Sequence, residues 1–267
     1  MNEQQAPEVK VGTLDVGEQT LETLWVSGSD DGPTLLLLHE GLGSLAGWKR
    51  FPVALGLYTG RPVVAYSRAG YGNSSPVLLP RPLDFHMREA CEVLPAVIDA
   101  LGLERCILMG HSDGASIALA HAGSVLDQRV QGVVALAPHV LTEAKTVDAI
   151  RKTSAAFESG TLRERLARYH GENVDCAFRG WADTWLDPRF LVWSIESALA
   201  GIKVPVLAIR GRSDPYNTAV HLERIAALVT APVKRITLED CGHAPHAERT
   251  DDVLPLVRRF IDSLPRP

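Results

Sequence analysis

The sequence predicts an α/β protein: a mostly parallel sheet covered on both faces, with a helical cap inserted before its last two strands. Three observations carry this. Short continuous apolar runs such as "TLLLLH" and "VPVLAIRG" suit strands buried on both faces. Helical stretches alternate with these runs. The alternation breaks once, from about Thr142 to Gly201, where the chain turns helical, polar and dense in aromatics, and then resumes.

In chain order, "VKVGTLDVGEQTLETLWVSG" reads as two short strands about a turn at Gly17. "TLLLLH" is the next strand. "WKRFPVALGLYTG" is helical, with Pro52 tolerated near its start. "RPVVAYS" is a buried strand. "LDFHMREACEVLPAVIDALG" has helical spacing and stops at Gly102. "RCILMG" is a strand, "GASIALAHAG" a helix and "VQGVVALAP" a strand. Beyond the aromatic segment, "VPVLAIRG" and "VKRITLED" are strands, while "TAVHLERIAALV" and "DVLPLVRRFIDSL" are helices, the last with an internal Pro255. The sheet needs the strands on both sides of the interruption. Residues 1–140 and 201–267 therefore form one core domain, and residues 141–200 a cap or lid.

The chain has 267 residues, 46 % hydrophobic and 22 % charged, enough for a sizeable core without staples. A net charge of −5 advertises no basic face, so no nucleic-acid partner is expected. The opening "MNEQQAPEVK" has no apolar signal core and no apolar run approaches membrane-spanning length, so no membrane partner is expected. Cys91, Cys106, Cys176 and Cys241 form no C-x-x-C pair and read as free thiols of a cytoplasmic protein. No H-x-x-x-H spacing, G-x-G-x-x-G or phosphate loop occurs, so neither a metal nor another cofactor is expected. The sequence sets no oligomeric state.

The sharpest motif is Gly110-His111-Ser112-Asp113-Gly114, a G-x-S-x-G match between an apolar strand and a small-residue helix. That context holds a serine hydroxyl above the sheet on a strained turn, with the helix N-terminus aimed at the reacting oxygen. Such a serine needs a base, and the base an orienting carboxylate. Asp214 stands just past one strand and His243 just past the next, in the order this architecture requires. Glu239, Asp240 and Asp187 are the rival acids, and His111 and His246 the rival bases. The ring of His111 should point away from Ser112, and His246 should pack or hydrogen-bond beside His243.

An oxyanion needs two backbone donors: the N–H of Asp113 and one from "HEGLGS", that of Gly41 or alternatively Leu42. Glu40 stands in that turn. A carboxylate facing the oxyanion would cancel its stabilisation, so Glu40 is expected to point away, onto a buried donor that locks the turn. A solvated Glu at the cleft edge and a proton-transfer role are the other readings. Leu42, His139, Trp181 and Trp185 are candidates to line the pocket, although ring clusters of this kind also serve as plain core.

With "HEGLGS", "YSRAGYGNSS", "GHSDG", "GRSDPY" and "GHAPH" in place, the chain resembles serine hydrolases of the α/β-hydrolase fold from about residue 34 to its end. It is most similar to small bacterial carboxylesterases, enol-lactonases and C–C bond hydrolases. It departs from the family's D-x-R-G-x-G-x-S turn at Ser67 and Ala69, and from the commoner HG start at Glu40. The resemblance implies a cofactor-independent hydrolase of a small ester or lactone, with Ser112 as nucleophile, His243 as base and Asp214 as orienter. Alternatives are C–C cleavage of an anionic ring-cleavage product, for which Arg68 or Arg189 would have to reach the cleft, perhydrolysis or thioester hydrolysis, and a ligand receptor with little turnover. Epoxide and haloalkane hydrolysis are disfavoured, because the enzymes of those types carry Asp where this chain has Ser112.

Overall fold

A computed structural model describes residues 7–29 and 32–265; the rest of the "MNEQQAPEVK" opening lies outside the described residues. The strands are β1 (Val9–Val16), β2 (Gln19–Val26), β3 (Thr34–Leu38), β4 (Val63–Tyr66), β5 (Cys106–His111), β6 (Val130–Leu136), β7 (Val206–Gly211) and β8 (Val233–Leu238). They form one sheet in the order β1-β2-β4-β3-β5-β6-β7-β8. β1 and β2 pair antiparallel, as do β2 and β4; all other pairs are parallel.

The leucine run explains itself in this frame. Strand side chains alternate between faces. Leu36 and Leu38 join the apolar cluster on one face of the sheet, and Leu35 and Leu37 the cluster on the other. With helices on both faces, all four leucines of β3 are fully buried. From β3 the chain steps out to β4, then crosses back to lay β5 on the other side of β3. The crevice between the ends of β3 and β5 is thus the topological switch point, where open α/β sheets bind ligands.

The core helices are α1 (Phe51–Thr59), α2 (Phe85–Arg88), α3 (Leu94–Ala100) and α4 (Asp113–Ser124). Between β6 and β7 lie α5 (Ala144–Glu158), α6 (Thr161–His170), α7 (Val174–Leu186), a 3₁₀ turn (Pro188–Val192) and α8 (Glu196–Leu199). α9 (Val220–Leu228), α10 (Pro245–Glu248) and α11 (Thr250–Ser263) complete the chain. The single helix expected over "LDFHMREACEVLPAVIDALG" is instead split, with a π-helical turn at Glu89–Val93 between α2 and α3. Pro95 supplies the reason: it has no N–H to give and its ring crowds the preceding turn, so the ladder widens just before it. Pro255 sits inside α11 without such a break.

Phe178, Trp181 and Trp185 form a stripe along one face of α7 and gather Phe157, Phe190 and Phe85 into a third apolar cluster. Ile195, Leu199 and Ile202 pack instead with the sheet cluster, so the last turn before β7 goes with the core.

Candidate active site

The turn after β5 presents one hydroxyl to the cavity. Ser112 sits at φ 52°, ψ −116°, a backbone state a non-glycine residue holds only when its surroundings enforce it. Gly114 shows the enforcement: a Cβ there would fall on the carbonyl oxygen of Leu38, so α4 can press against the end of β3 only with glycine at this position. Helix α4 starts at Asp113, whose N–H belongs to the first turn and has no acceptor inside the helix.

His243 Nε2 lies 3.0 Å from Ser112 Oγ, and His243 Nδ1 lies 2.7 Å from Asp214 Oδ2. Asp214 is buried, and its Oδ1 accepts the backbone N–H groups of Tyr216 at 2.7 Å and Asn217 at 3.2 Å. Burial pushes its carboxyl upward, but the hydrogen bond and charge of His243 and the two amides outweigh this and hold it below the usual carboxylate value. With Nδ1–H given to Asp214, Nε2 presents its lone pair to the serine hydroxyl. The structure therefore brings Ser112, His243 and Asp214 into one hydrogen-bonded line.

The rivals are elsewhere. Glu239 pairs with Arg212 on the surface, Asp240 occupies a turn at φ 48°, and Asp187 caps the 3₁₀ turn and pairs with Arg189. His246 packs on Trp48, Phe51 and His111, and burial drags its pKa down to about 3. His111 points away from Ser112: its Nε2 lies 2.7 Å from the carbonyl oxygen of His243, and its Nδ1 3.2 Å from Glu40 Oε2. Glu40, whose side chain is 31 % exposed at the cavity edge, thus has a buried partner across the turn, the imidazole of His111.

The turn carrying Gly41 is held from behind. His39 Nε2 accepts the N–H of Arg68, so its Nδ1–H donates to the Glu40 carbonyl at 2.7 Å. The buried Arg68 guanidinium donates to the carbonyls of His39 at 2.5 Å and Glu40 at 3.1 Å. The N–H groups of Gly41 and Leu42 meet no acceptor among the described residues, so the turn offers two free donors beside that of Asp113. Arg68 does not reach the cleft, contrary to the possibility raised by its motif; its charge is spent on backbone carbonyls beneath the turn. Arg189 does not reach it either, being exposed and paired with Asp187.

A cavity of about 80 Å³ opens over Ser112, lined by Leu42, His139, Trp181 and Trp185 together with Ile150 and Tyr216, among others, and by no Lys or Arg. His139 is fully buried, stands edge-on to Trp185, and lies 5.8 Å from His243 between ring centroids.

Sequence reasoning missed the groups that tie α5 to the acid loop. Lys145 Nζ donates to the carbonyls of Asp214 at 2.6 Å and Asn217 at 3.2 Å, and Thr146 Oγ1 to that of Tyr216 at 2.7 Å. Glu143 binds His221 at 2.7 Å and the hydroxyl and N–H of Thr218. On the opposite side, His170 Nε2 donates to the Leu42 carbonyl at 3.0 Å. A signal existed for Tyr216, two residues beyond Asp214 in "GRSDPY"; none marked Lys145 among the other charged residues of its helix.

Residues 35–256 match the model of the alpha/beta hydrolase family, and the chain belongs to that family. Its relatives are named for diverse activities, most of them hydrolytic, with an acetyltransferase component of an acetoin cleaving system among them. RutD of Pseudomonas savastanoi pv. phaseolicola, named as a carbamate hydrolase, is 25 % identical over 88 % of this chain and 94 % of its own length. Epoxide hydrolase A of Mycobacterium tuberculosis is 22 % identical over 90 % of this chain and 94 % of its own. The solved enol-lactonase of Burkholderia xenovorans LB400 superposes with a TM-score of 0.72 at 20 % identity, covering 94 % of this chain and all of its own, which is a likeness of fold. Among the described residues no helix is long and apolar enough to cross a membrane, and the four cysteines are unpaired.

Proposed function

We propose that this hydrolase cleaves a carboxylic ester or lactone through an acyl-enzyme. The Ser112–His243–Asp214 line carries the reading. Ser112 Oγ attacks the carbonyl carbon while His243 Nε2 takes its proton, and Asp214 holds the imidazole in the required tautomer and balances its charge. The carbonyl electron pair moves onto oxygen, facing the N–H groups of Asp113 and Gly41. Collapse expels the alcohol, protonated by His243. Water activated by the same imidazole then releases the acid and frees Ser112.

The lining supports the choice of substrate. It holds Leu42, Ile150, Trp181 and Trp185 but no Lys or Arg, and Arg68 and Arg189 are both engaged elsewhere, so the lining supplies no Lys or Arg for an anionic ring-cleavage product. An 80 Å³ cavity is about half the ~150 Å³ that admits benzene, which favours acyl groups from acetyl to about butyryl. Epoxide opening, the activity for which one relative is named, is disfavoured by the hydroxyl of Ser112 at the nucleophile position. Within the insert expected over residues 141–200, we assign residues 144–192 as a cap shaping the acyl pocket, and the free thiols support a cytoplasmic setting. No cofactor enters this proposed chemistry.

A panel of p-nitrophenyl esters, lactones and ring-cleavage acids tests the reading, together with a serine-directed phosphonate. Short esters or lactones should turn over and the phosphonate should label Ser112 alone. Ser112→Ala should lose turnover by on the order of 10⁴–10⁶-fold at an unchanged melting temperature. Near-wild-type activity in that variant would refute the mechanism. Tight binding of a ligand without turnover would point to a receptor instead.

A further inference from the structure

Trp181 approaches the oxyanion turn more closely than a packing role requires. A Cβ on Gly41 would fall onto Nε1 and Cδ1 of Trp181, so the N–H edge of the indole lies against the Gly41 main chain. Gly41 supplies one of the backbone amides assigned to the oxyanion. Trp181 lines the cavity over Ser112, is only 6 % exposed, and its N–H has no acceptor among the described residues. A buried indole N–H normally finds a partner. Trp185, four residues on, also lacks one, but its Nε1 is closed off from solvent-sized space.

We propose that Trp181 is a further catalytic residue, its indole N–H donating to the substrate oxygen beside the backbone N–H groups of Gly41 and Asp113. The proposal rests on the reading of the site as a serine hydrolase. In the acylation step the Ser112 Oγ–carbon bond forms, the serine proton passes to His243, and the carbonyl π pair settles on oxygen. That oxygen then has three donors rather than two. Its charge exists only after attack, so the third donor strengthens in the transition state. The arrangement also gives glycine at position 41 a chemical reason, since any side chain there would evict the indole edge. The donor arrives on α7, so the hole is complete only while that helix is seated.

One competitor for the N–H is visible. Asp113 Oδ2 lies 3.1 Å from the same Cβ position and has no partner of its own, its other oxygen facing His86 Nε2 at 3.4 Å. A hydrogen bond to Asp113 would make Trp181 a tie between helix and elbow, and the experiment separates the two roles.

Trp181→Phe keeps an aromatic ring, though a smaller one, and deletes the donor. Wild type and variant are compared on p-nitrophenyl acetate and with a short alkylboronic acid, which forms a tetrahedral adduct on the serine oxygen. The variant should lose ~10–100-fold in kcat with KM within about threefold, and boronate affinity should fall by the same factor. In ¹⁵N-labelled wild-type protein the Trp181 indole proton should shift downfield when the boronate binds, a readout that needs no variant to fold. An unchanged kcat in a folded variant, a fall in melting temperature without loss of boronate affinity, or an indole proton that ignores the boronate would overturn the assignment. If wild-type protein neither turns over the ester nor binds the boronate, the serine-hydrolase reading falls first. If it does both and Trp181→Phe matches it, only the role of Trp181 falls.

Discussion

Replacing Glu40 by Gln and by Ala separates a brace from a proton donor. The carbonyl oxygen of His243 can only accept, so His111 Nε2 carries a hydrogen. An ionised Glu40 can also only accept, so Nδ1 carries one as well, and His111 is an imidazolium. The shifts agree in direction. Burial pulls His111 down, but the hydrogen bond and charge of Glu40 carry it above its ordinary 6.5. Burial pushes Glu40 up, but His111 brings it well below its ordinary 4.5. Glu40 therefore contributes stability above its ordinary value and loses it as pH falls through the depressed one. His111 contributes below 6.5 and loses it as pH rises through the raised one. Between those limits the pair is intact and holds the His243 backbone. In Glu40→Gln the group that raises His111 is gone and the imidazole is neutral. Its Nε2–H still reaches the His243 carbonyl, and the new amide can donate to Nδ1. In Glu40→Ala, Nδ1 is left unpaired on a side chain only 3 % exposed. Such a group costs roughly 1–3 kcal/mol. Water reaches the 31 % exposed Glu40 position, so the lower half applies, ~1–2 kcal/mol or ~5–30-fold in kcat. Kinetics on a short ester from about pH 5 to 9 should show Glu40→Gln within about threefold of wild type near neutrality, with any alkaline limb due to His111 gone. Glu40→Ala should lose kcat by the stated factor with less change in KM. Equal, large losses in both variants would show that Glu40 transfers protons, and neutrality of both would show that it braces nothing.

Two further outcomes are expected. Trp185→Leu should enlarge the acyl pocket and move the preferred chain length up by about one or two methylenes, at a stability cost of ~2–4 kcal/mol, read from a p-nitrophenyl ester series and thermal melts; an unchanged ranking would make the ring plain core. Lys145→Met removes two hydrogen bonds to the loop of Asp214 and should lower kcat/KM by ~3–10-fold, the exposed ammonium limiting the effect, while the chemical label on Ser112 persists; an unaltered pH–rate profile and kcat/KM would deny the loop any need of it.

The frame of this fold was legible because its signals are local. Each parallel strand is a short apolar run, and Ser112, Asp214 and His243 follow the ends of β5, β7 and β8 within five residues, so chain order alone placed them at one edge of the sheet. The direction of a long side chain is not local. Arg68 follows β4 by two residues, and nothing in "YSRAGYG" says that its guanidinium turns under the β3 turn rather than into the cleft. The partner of Glu40 was hidden for the same reason: His111 is 71 residues away and becomes its neighbour only through the pairing of β3 with β5. The π-helical turn ahead of Pro95 was readable in principle from the proline, but its width depends on how the ladder relaxes around it.

The hydrogen bonds running from α5 and from His170 into the core bear on how such enzymes diversify. A helical insert between two strands looks like a module to be exchanged between relatives to obtain a new specificity. Here Lys145 and Thr146 hold the loop that bears Asp214, and His170 holds the turn that bears Leu42. A chimera receiving a foreign insert at this point would inherit a loosened acid and a loosened oxyanion turn together with its new pocket. Transplants that carry the Lys145, Thr146 and His170 positions across should keep rate while changing preference, and those that omit them should change both.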